Sequence, residues 1–238
     1  MKTAESTWRV YQWDADPLVC RKFESILCQG NGYLGVRAAT EEDGEKTVRY
    51  ALVAGTFDRM TSKNSNELPN GADVTALELS ADGIGLQLTE GNHSDHCRYL
   101  DLRDGVLHRN FRWMPREGLC LEVTTERFVS LAQKHVLAQR AWIKVLEGSC
   151  TLTLSSGIRG GKRYGDEHFL DMESRLSENL LQYAETTHQS GITFVTGCYV
   201  DVFVTDEAGN STQLPTQVQL GADRITADCA VTLTQGQT

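Results

Sequence analysis

The sequence predicts an all-β protein, a large antiparallel β-sandwich with at most short helices. Three observations predict it. Only four prolines interrupt the 238 residues. Long stretches alternate apolar and polar residues with period two, and helix-period segments are few. At least a dozen strands joined by short turns imply antiparallel pairing. One apolar face per strand then implies two sheets packed face to face.

In chain order, residues 1–22 carry Trp8, Val10, Tyr11 and Trp13 among polar neighbours, which suits an edge strand or an arm packed on the body. The stretch Phe23–Thr40, FESILCQGNGYLGVRAAT, begins apolar, passes Gly30-Asn31-Gly32 and leaves along Tyr33-Leu34-Gly35-Val36-Arg37. Its glycines call for positive φ or a close approach. Tyr33, Leu34 and Val36 make it more than a linker, so a turn into a buried strand is expected. Gly30, Gly32 and Gly35 fit the dinucleotide spacing, but Val36–Thr40 is too short for a crossover helix, and a nucleotide loop is rejected. Residues 41–47 read as an acidic turn, Val48–Phe57 as a nearly continuous β run, and residues 59–70 as a polar loop.

Residues 74–80 form a strand that returns over Ile84–Leu88 through Asp82-Gly83, a pair that accepts type I′ geometry. Asp104-Gly105 sits between two alternating runs, which predicts a β-hairpin over Arg98–Trp113. Leu100 and Leu102 would share a face with Leu107, Phe111 and Trp113. Strands follow over 119–131, 136–146 and 150–155. The glycines and charges of 157–174 read as a long exposed loop, and 175–190 fits either a short helix or a strand. Two strands occupy 191–205, a turn 207–210, and further strands 217–220, 224–226 and 229–234. With no repeat, low-complexity segment or Pro- or Ser-rich linker, the whole chain 1–238 is expected to be one domain.

The net charge of -9, from 23 basic and 32 acidic residues, leaves no basic stripe for nucleic acid. No apolar h-region opens the chain and no run suits a membrane span, so neither a signal peptide nor a membrane partner is expected. Seven scattered cysteines without a CxxC pair read as reduced thiols of a cytoplasmic protein.

The chemical motifs are sparse. His93, His96 and Cys97 have ligand-like spacing but no evident fourth ligand, so a polar loop is the better account and no metal is expected. Asp14, Asp16, Glu41, Glu42 and Asp43 could supply paired carboxylates, although acidic turns are usually solvated. Asp101 and Arg109 could pair across the hairpin. Arg127 and Arg140 sit inside apolar runs and read as structural ion pairs. Tryptophans 8, 13, 113 and 142 suit core or interface anchoring better than sugar stacking. GxSxG and HExxH are absent, so no catalytic residue and no cofactor are expected.

Several segments, taken together and in order, resemble glycoside hydrolase family 65, specifically its N-terminal domain. They are Glu24–Leu27 with GNGYLGVR (30–37), AGTFD (54–58), NELPN (66–70), RYLDLRDGVLHRNFRW (98–113), ERFVSL (126–131) and HVLAQRAWIKV (135–145). The resemblance implies a β-super-sandwich of galactose mutarotase-like shape, followed in the family by a helical linker, an (α/α)6 barrel and a small β domain. It implies a polypeptide that acts on α-linked glucose disaccharides by inverting phosphorolysis or hydrolysis, with its catalytic glutamate in a barrel that this chain lacks. The domain would then support barrel packing and a homodimer, and it could lend a loop to the α-glucoside pocket. Asn31, Arg37, Asp58 and Asn66 are the candidates for substrate-pocket or barrel contact. An autonomous carbohydrate-binding module and a mutarotase-like epimerase are the alternatives. The latter needs a histidine and a carboxylate converging in a cleft.

Overall fold

The computed structural model describes residues 7–42, 49–60, 65–88, 91–160 and 167–238. In chain order, strand β1 (Arg9–Gln12) leads to helix α1 (Pro17–Ile26), then β2 (Gln29–Gly30), β3 (Leu34–Val36), β4 (Ala51–Val53), β5 (Asp58–Met60), β6 (Ser65–Glu67), β7 (Leu77–Ala81) and β8 (Ile84–Gly85). The long strands follow: β9 (His93–Asp101), β10 (Val106–Arg116), β11 (Leu119–Val129), β12 (Leu137–Glu147) and β13 (Ser149–Arg159). Then come β14 (Phe169–Ser177), β15 (Leu180–Thr187), β16 (Thr193–Cys198), β17 (Val202–Thr205), β18 (Ser211–Leu214), β19 (Gln217–Leu220) and β20 (Arg224–Thr234).

The predicted sandwich is present. One five-stranded antiparallel sheet runs β1-β9-β10-β11-β12 and another runs β19-β20-β13-β7-β8. Their facing sides share one apolar cluster, with Phe111, Trp113, Leu121, Val123 and Val145 from the first sheet against Leu79, Leu152, Leu154 and Leu233 from the second. Smaller sheets β14-β15-β16, β2-β3-β4, β5-β6 and β17-β18 flank this body. Both predicted turns form. Asp82 and Gly83 have φ of 51° and 80°, and Gly105 closes the β9–β10 hairpin at φ 71°. Leu107, Phe111 and Trp113 all point inward, whereas Leu102 lies in the turn and is exposed.

Several expectations are corrected. The stretch from Phe23 does not start as the entry to a turn, because Phe23–Ile26 ends helix α1. Asp16 caps that helix by accepting from the Leu18 and Val19 amides, and Pro17 opens it. The β run over 48–57 shrinks to β4, and the polar loop over 59–70 contains β5 and β6. Residues 43–48 and 61–64, parts of the acidic turn and of that loop, lie outside the described residues, as do 161–166 of the expected loop over 157–174. The rest of that stretch is strand at both ends: β13 runs on through buried Gly157, Ile158 and Arg159, and β14 begins at Phe169, with Glu167, Leu170 and Glu173 exposed. Residues 180–187 are strand, the expected strand over 217–220 is β19, and the two expected over 224–226 and 229–234 are one long β20. His93, His96 and Cys97 sit on β9 rather than in a loop, with His96 buried inward.

Candidate functional site

Residues 37–42 form no regular strand, yet Ala38, Ala39 and Glu41 are buried. A buried irregular segment must still satisfy its carbonyls, and arginines do so here. Arg49, Arg98, Arg109 and Arg127 are each at most 2 % exposed. Arg98 Nη1 donates to the Ala38 carbonyl at 2.7 Å, and Arg127 Nη2 to the Ala39 carbonyl at 3.5 Å. Arg49 Nη2 donates to the carbonyls of Thr40, Glu41 and Glu42 at 2.6, 2.9 and 3.1 Å. Arg109 takes the side chains instead, meeting Glu41 Oε2 at 2.9 Å and Glu42 Oε2 and Oε1 at 2.5 and 2.8 Å. Beside the apolar clusters, the sandwich interior therefore carries a guanidinium lining around this strap.

These contacts correct three pairings. Arg109 does not pair with Asp101, which binds Arg9 at 2.7 Å. The strands place Arg109 opposite Arg98 instead. Glu41 and Glu42 are not a solvated acidic turn, since Arg109 draws both inward. Among the described residues Arg127 makes no ion pair within 4 Å; its neighbours are Gln29 Oε1 at 3.3 Å and the Ala39 carbonyl. Arg140 does form its ion pair, with Glu126 at 2.6 Å, on the outer face of the sheet.

The electrostatics make the strap acid-sensitive. Burial works against the carboxylate charge, but Arg109 outweighs it, holding Glu41 below the usual range and Glu42 down at about 2. His96, whose Nε2 accepts from Arg109 Nε at 3.4 Å, is pushed down to about 4 by burial and by Arg109. All three groups have folded pKa values below their unfolded ones. The stability they contribute is present above the unfolded values and is lost as pH falls through the folded ones. The urea midpoint is thus expected to fall between pH 6.5 and 4 as His96 is forced to charge, and again towards pH 2 as Glu42 protonates. Under this reading His96→Phe flattens the upper limb, and a flat wild-type profile down to pH 4 contradicts it.

The strap carries the predicted site residues on either side of it. Asn31 accepts from the Tyr33 and Leu34 amides at 3.0 and 2.8 Å and donates to the Ser130 and Lys134 carbonyls at 2.6 and 3.0 Å. It pins the glycine-rich turn to the β11–β12 loop. Arg37 bonds Glu24 of α1 at 2.9 Å. Asp58 accepts from the Gln189 and Ser190 amides at 3.2 and 2.7 Å, and its Oδ2 lies 2.9 Å from His168 Nδ1. Burial opposes its charge, and these hydrogen bonds nonetheless lower its pKa. Asn66, opposite Arg59 in the β5–β6 pair, is exposed. The β3–β4 pairing joins the Asn31 turn to the segment that leads into β5 and β6.

Among the described residues of 49–70, several polar side chains are buried while large apolar ones are exposed. Arg49, Asp58 and Asn70 are only 1, 2 and 5 % exposed, while Tyr50, Phe57 and Leu68 are 40, 54 and 37 % exposed. Asn70 explains part of this. It accepts from the Ala51 amide at 2.9 Å and donates to the Arg49 carbonyl at 2.7 Å, stapling β4 in place. Arg49, Asp58 and Asn70 are spent on holding the segment in place, and Tyr50, Phe57 and Leu68 are among what it presents. Hydropathy alone would have assigned the opposite orientation, so the sequence reading missed Tyr50, Phe57 and Leu68.

Among the described residues no helix is long and apolar enough to cross a membrane. The family described as glycosyl hydrolase family 65, N-terminal domain, matches residues 12–238. The chain is 36 % identical over 179 residues to a kojibiose phosphorylase of Halothermothrix orenii, an overlap of 74 % of this chain and 23 % of that protein. It is 33 % identical over 168 residues to a kojibiose phosphorylase of Escherichia coli, covering 70 % of this chain and 22 % of that one. A solved structure from human microbiome, provisionally named a kojibiose phosphorylase, superposes with a TM-score of 0.83 over 97 % of this chain and 31 % of its own, at 16 % identity. The chain thus spans less than a quarter of the length of these curated relatives.

Proposed function

This chain belongs to glycosyl hydrolase family 65 as an N-terminal domain, and from that premise we propose that it braces a catalytic body carried on the same polypeptide and does no chemistry itself. One observation carries the proposal: within residues 49–70, Arg49, Asp58 and Asn70 are locked inward while Tyr50, Phe57 and Leu68 face outward. Apolar side chains on a rigid, purpose-held excursion mark a surface that a partner covers. The partner is the remainder of the polypeptide, which in the relatives accounts for more than three quarters of the length. Asn31, Arg37 and Asp58 serve this contact by fixing the excursion and the neighbouring turn, and exposed Asn66 touches the partner or its substrate pocket.

The whole polypeptide would act on an α-linked glucose disaccharide of the kojibiose type. In an inverting phosphorylase a carboxylic acid protonates the leaving glycosidic oxygen while phosphate attacks the opposite face of the sugar. Asp58 is an ionised, fully engaged hydrogen-bond acceptor, a state that suits a brace and not a proton donor. Exposed Val195, Tyr199, Phe203 and Leu220 support self-association of the polypeptide. The seven free cysteines support a reducing, cytoplasmic setting, and the shared interior of the two large sheets supports treating the chain as one domain. The test is turnover. The chain alone, incubated with kojibiose, nigerose or trehalose with and without phosphate, is expected to release neither glucose nor glucose 1-phosphate. Turnover by the chain alone would overturn the proposal.

A further inference from the structure

A cleft of about 440 Å³ opens at the edge of the first sheet, where the chain leaves β1 and where β9 begins. Trp13, Asp14, His93, Ser94, Asp95 and His96 line it. Its volume falls in the range of small-molecule sites. None of these residues contributes to the docking role argued above, so the two proposals stand independently.

Three features show a built cleft. The first is the Trp13 ring, which stacks on Tyr11 with centroids 5.1 Å apart and planes 6° from parallel. Tyr11 leans on Tyr99 at 5.3 Å, and Tyr99 is stacked on His108 at 4.7 Å and capped by Arg9 at 4.7 Å. This row across the outer face of the sheet fixes the tryptophan before any ligand arrives, which lowers the ordering cost of binding. The second is a bulge. The β9–β10 register shifts between Asn110 and Arg112, and opposite that shift Asp95 adopts a left-handed φ of 56°. Bulges re-aim side chains, and this one lies in the cleft wall. The third is His96, 8 % exposed. Its Nε2 accepts from Arg109, which leaves the proton on Nδ1, and Nδ1 is turned to the Trp13 backbone, so the ring ties the chain leaving β1 to β9.

We propose that this cleft binds one pyranose ring, stacked against Trp13 and hydrogen-bonded by Asp14 and Asp95. The chemistry separates a sugar from other ligands. A hydroxyl both donates and accepts, and the cleft offers carboxylate acceptors beside the Ser94 hydroxyl. Asp95 is already matched by Arg112 at 3.3 Å, which weakens the pull on a free cation. Two carboxylates and an overall charge of -9 disfavour a phosphate.

The experiment is an NMR titration of the ¹⁵N-labelled chain with methyl α-D-glucopyranoside, alongside tetramethylammonium chloride. The glucoside is expected to shift the Trp13 indole and the amides of residues 93–96 saturably, with a dissociation constant on the order of 1–10 mM. Trp13→Ala should weaken binding at least about tenfold. Asp95→Asn keeps the left-handed backbone accessible and should weaken it about three- to tenfold, which decides the matter if Trp13→Ala fails to fold. Trp142→Ala, at the far edge of the sheet, should change nothing. The proposal is overturned if the glucoside produces no saturable shift at the cleft, if tetramethylammonium alone produces it, if Asp95→Asn binds as well as the parent, or if Trp142→Ala weakens binding as much as Trp13→Ala.

Discussion

Replacing Arg109 with alanine is expected to cost about 3–5 kcal/mol of folding stability. The side chain is 2 % exposed and holds both Glu41 and Glu42. Its loss removes the guanidinium hydrogen-bonded to both carboxylates and leaves them drawn into the sandwich with only the more distant Arg127 and Arg49 charges. It also removes the donor on His96 Nε2. A partner left charged and buried costs far more than the pair is worth when intact. The triple change Arg109→Met, Glu41→Gln, Glu42→Gln is therefore expected to recover much of what Arg109→Ala loses. Urea denaturation of the three proteins at pH 7 checks both statements. An alanine variant within about 1 kcal/mol of the parent would mean that the guanidinium lining does not hold the strap.

The other large effect lies in the opposite sheet. Gly157 faces Thr226 in the β13–β20 ladder with φ of 152°, a conformation that side chains rarely adopt. A Cβ there would lie 2.4 Å from the Ile225 carbonyl oxygen and 2.8 Å from Thr226 Cα. Both are backbone atoms of the partner strand, so relief requires the two longest strands of that sheet to part. Gly157→Ala is expected to cost about 3 kcal/mol or more, which for a chain of this size lowers the melting temperature by roughly 6–12 °C. Gly83→Ala, in an open turn with nothing within 4 Å of the added carbon, should show only the smaller backbone strain. Equal melting temperatures for the two variants would contradict the close approach.

What the sequence made legible follows from how local each signal is. The Asp82-Gly83 and Asp104-Gly105 turns were readable because positive φ is dictated by the turn residues themselves. The alternating runs that became β10 and β11 were readable because one face is apolar along most of their length. Helix α1 carried its signal in Asp16-Pro17, a cap followed by an N1 proline. Its apolar residues Leu18 and Ile26 face solvent while Glu24 is buried, so periodicity hid it.

The strap was harder. Arg98 and Arg127 reach carbonyls 60 and 88 residues away in sequence. No local pattern states such a partnership. One signal was available: Arg109 shares the inward parity of Leu107, Phe111 and Trp113, so period two already placed a cation inside the sandwich. The cleft was invisible for a related reason. Trp13, Asp14 and the residues from His93 to His96 were each readable by type, but only the pairing of β1 with β9 brings them together.

The account rests on the outward-facing Tyr50, Phe57 and Leu68 being there for a partner. The most direct measurement is the activity of the full-length polypeptide carrying Phe57→Ser and Leu68→Ser, read beside the melting temperature of the same double variant of this chain alone. Two exposed apolar positions should leave the chain's own stability within about 0.5 kcal/mol of the parent. Removing two buried contact residues should cut the activity of the full-length polypeptide at least about tenfold. Unchanged activity beside an unchanged melting temperature would contradict the bracing role.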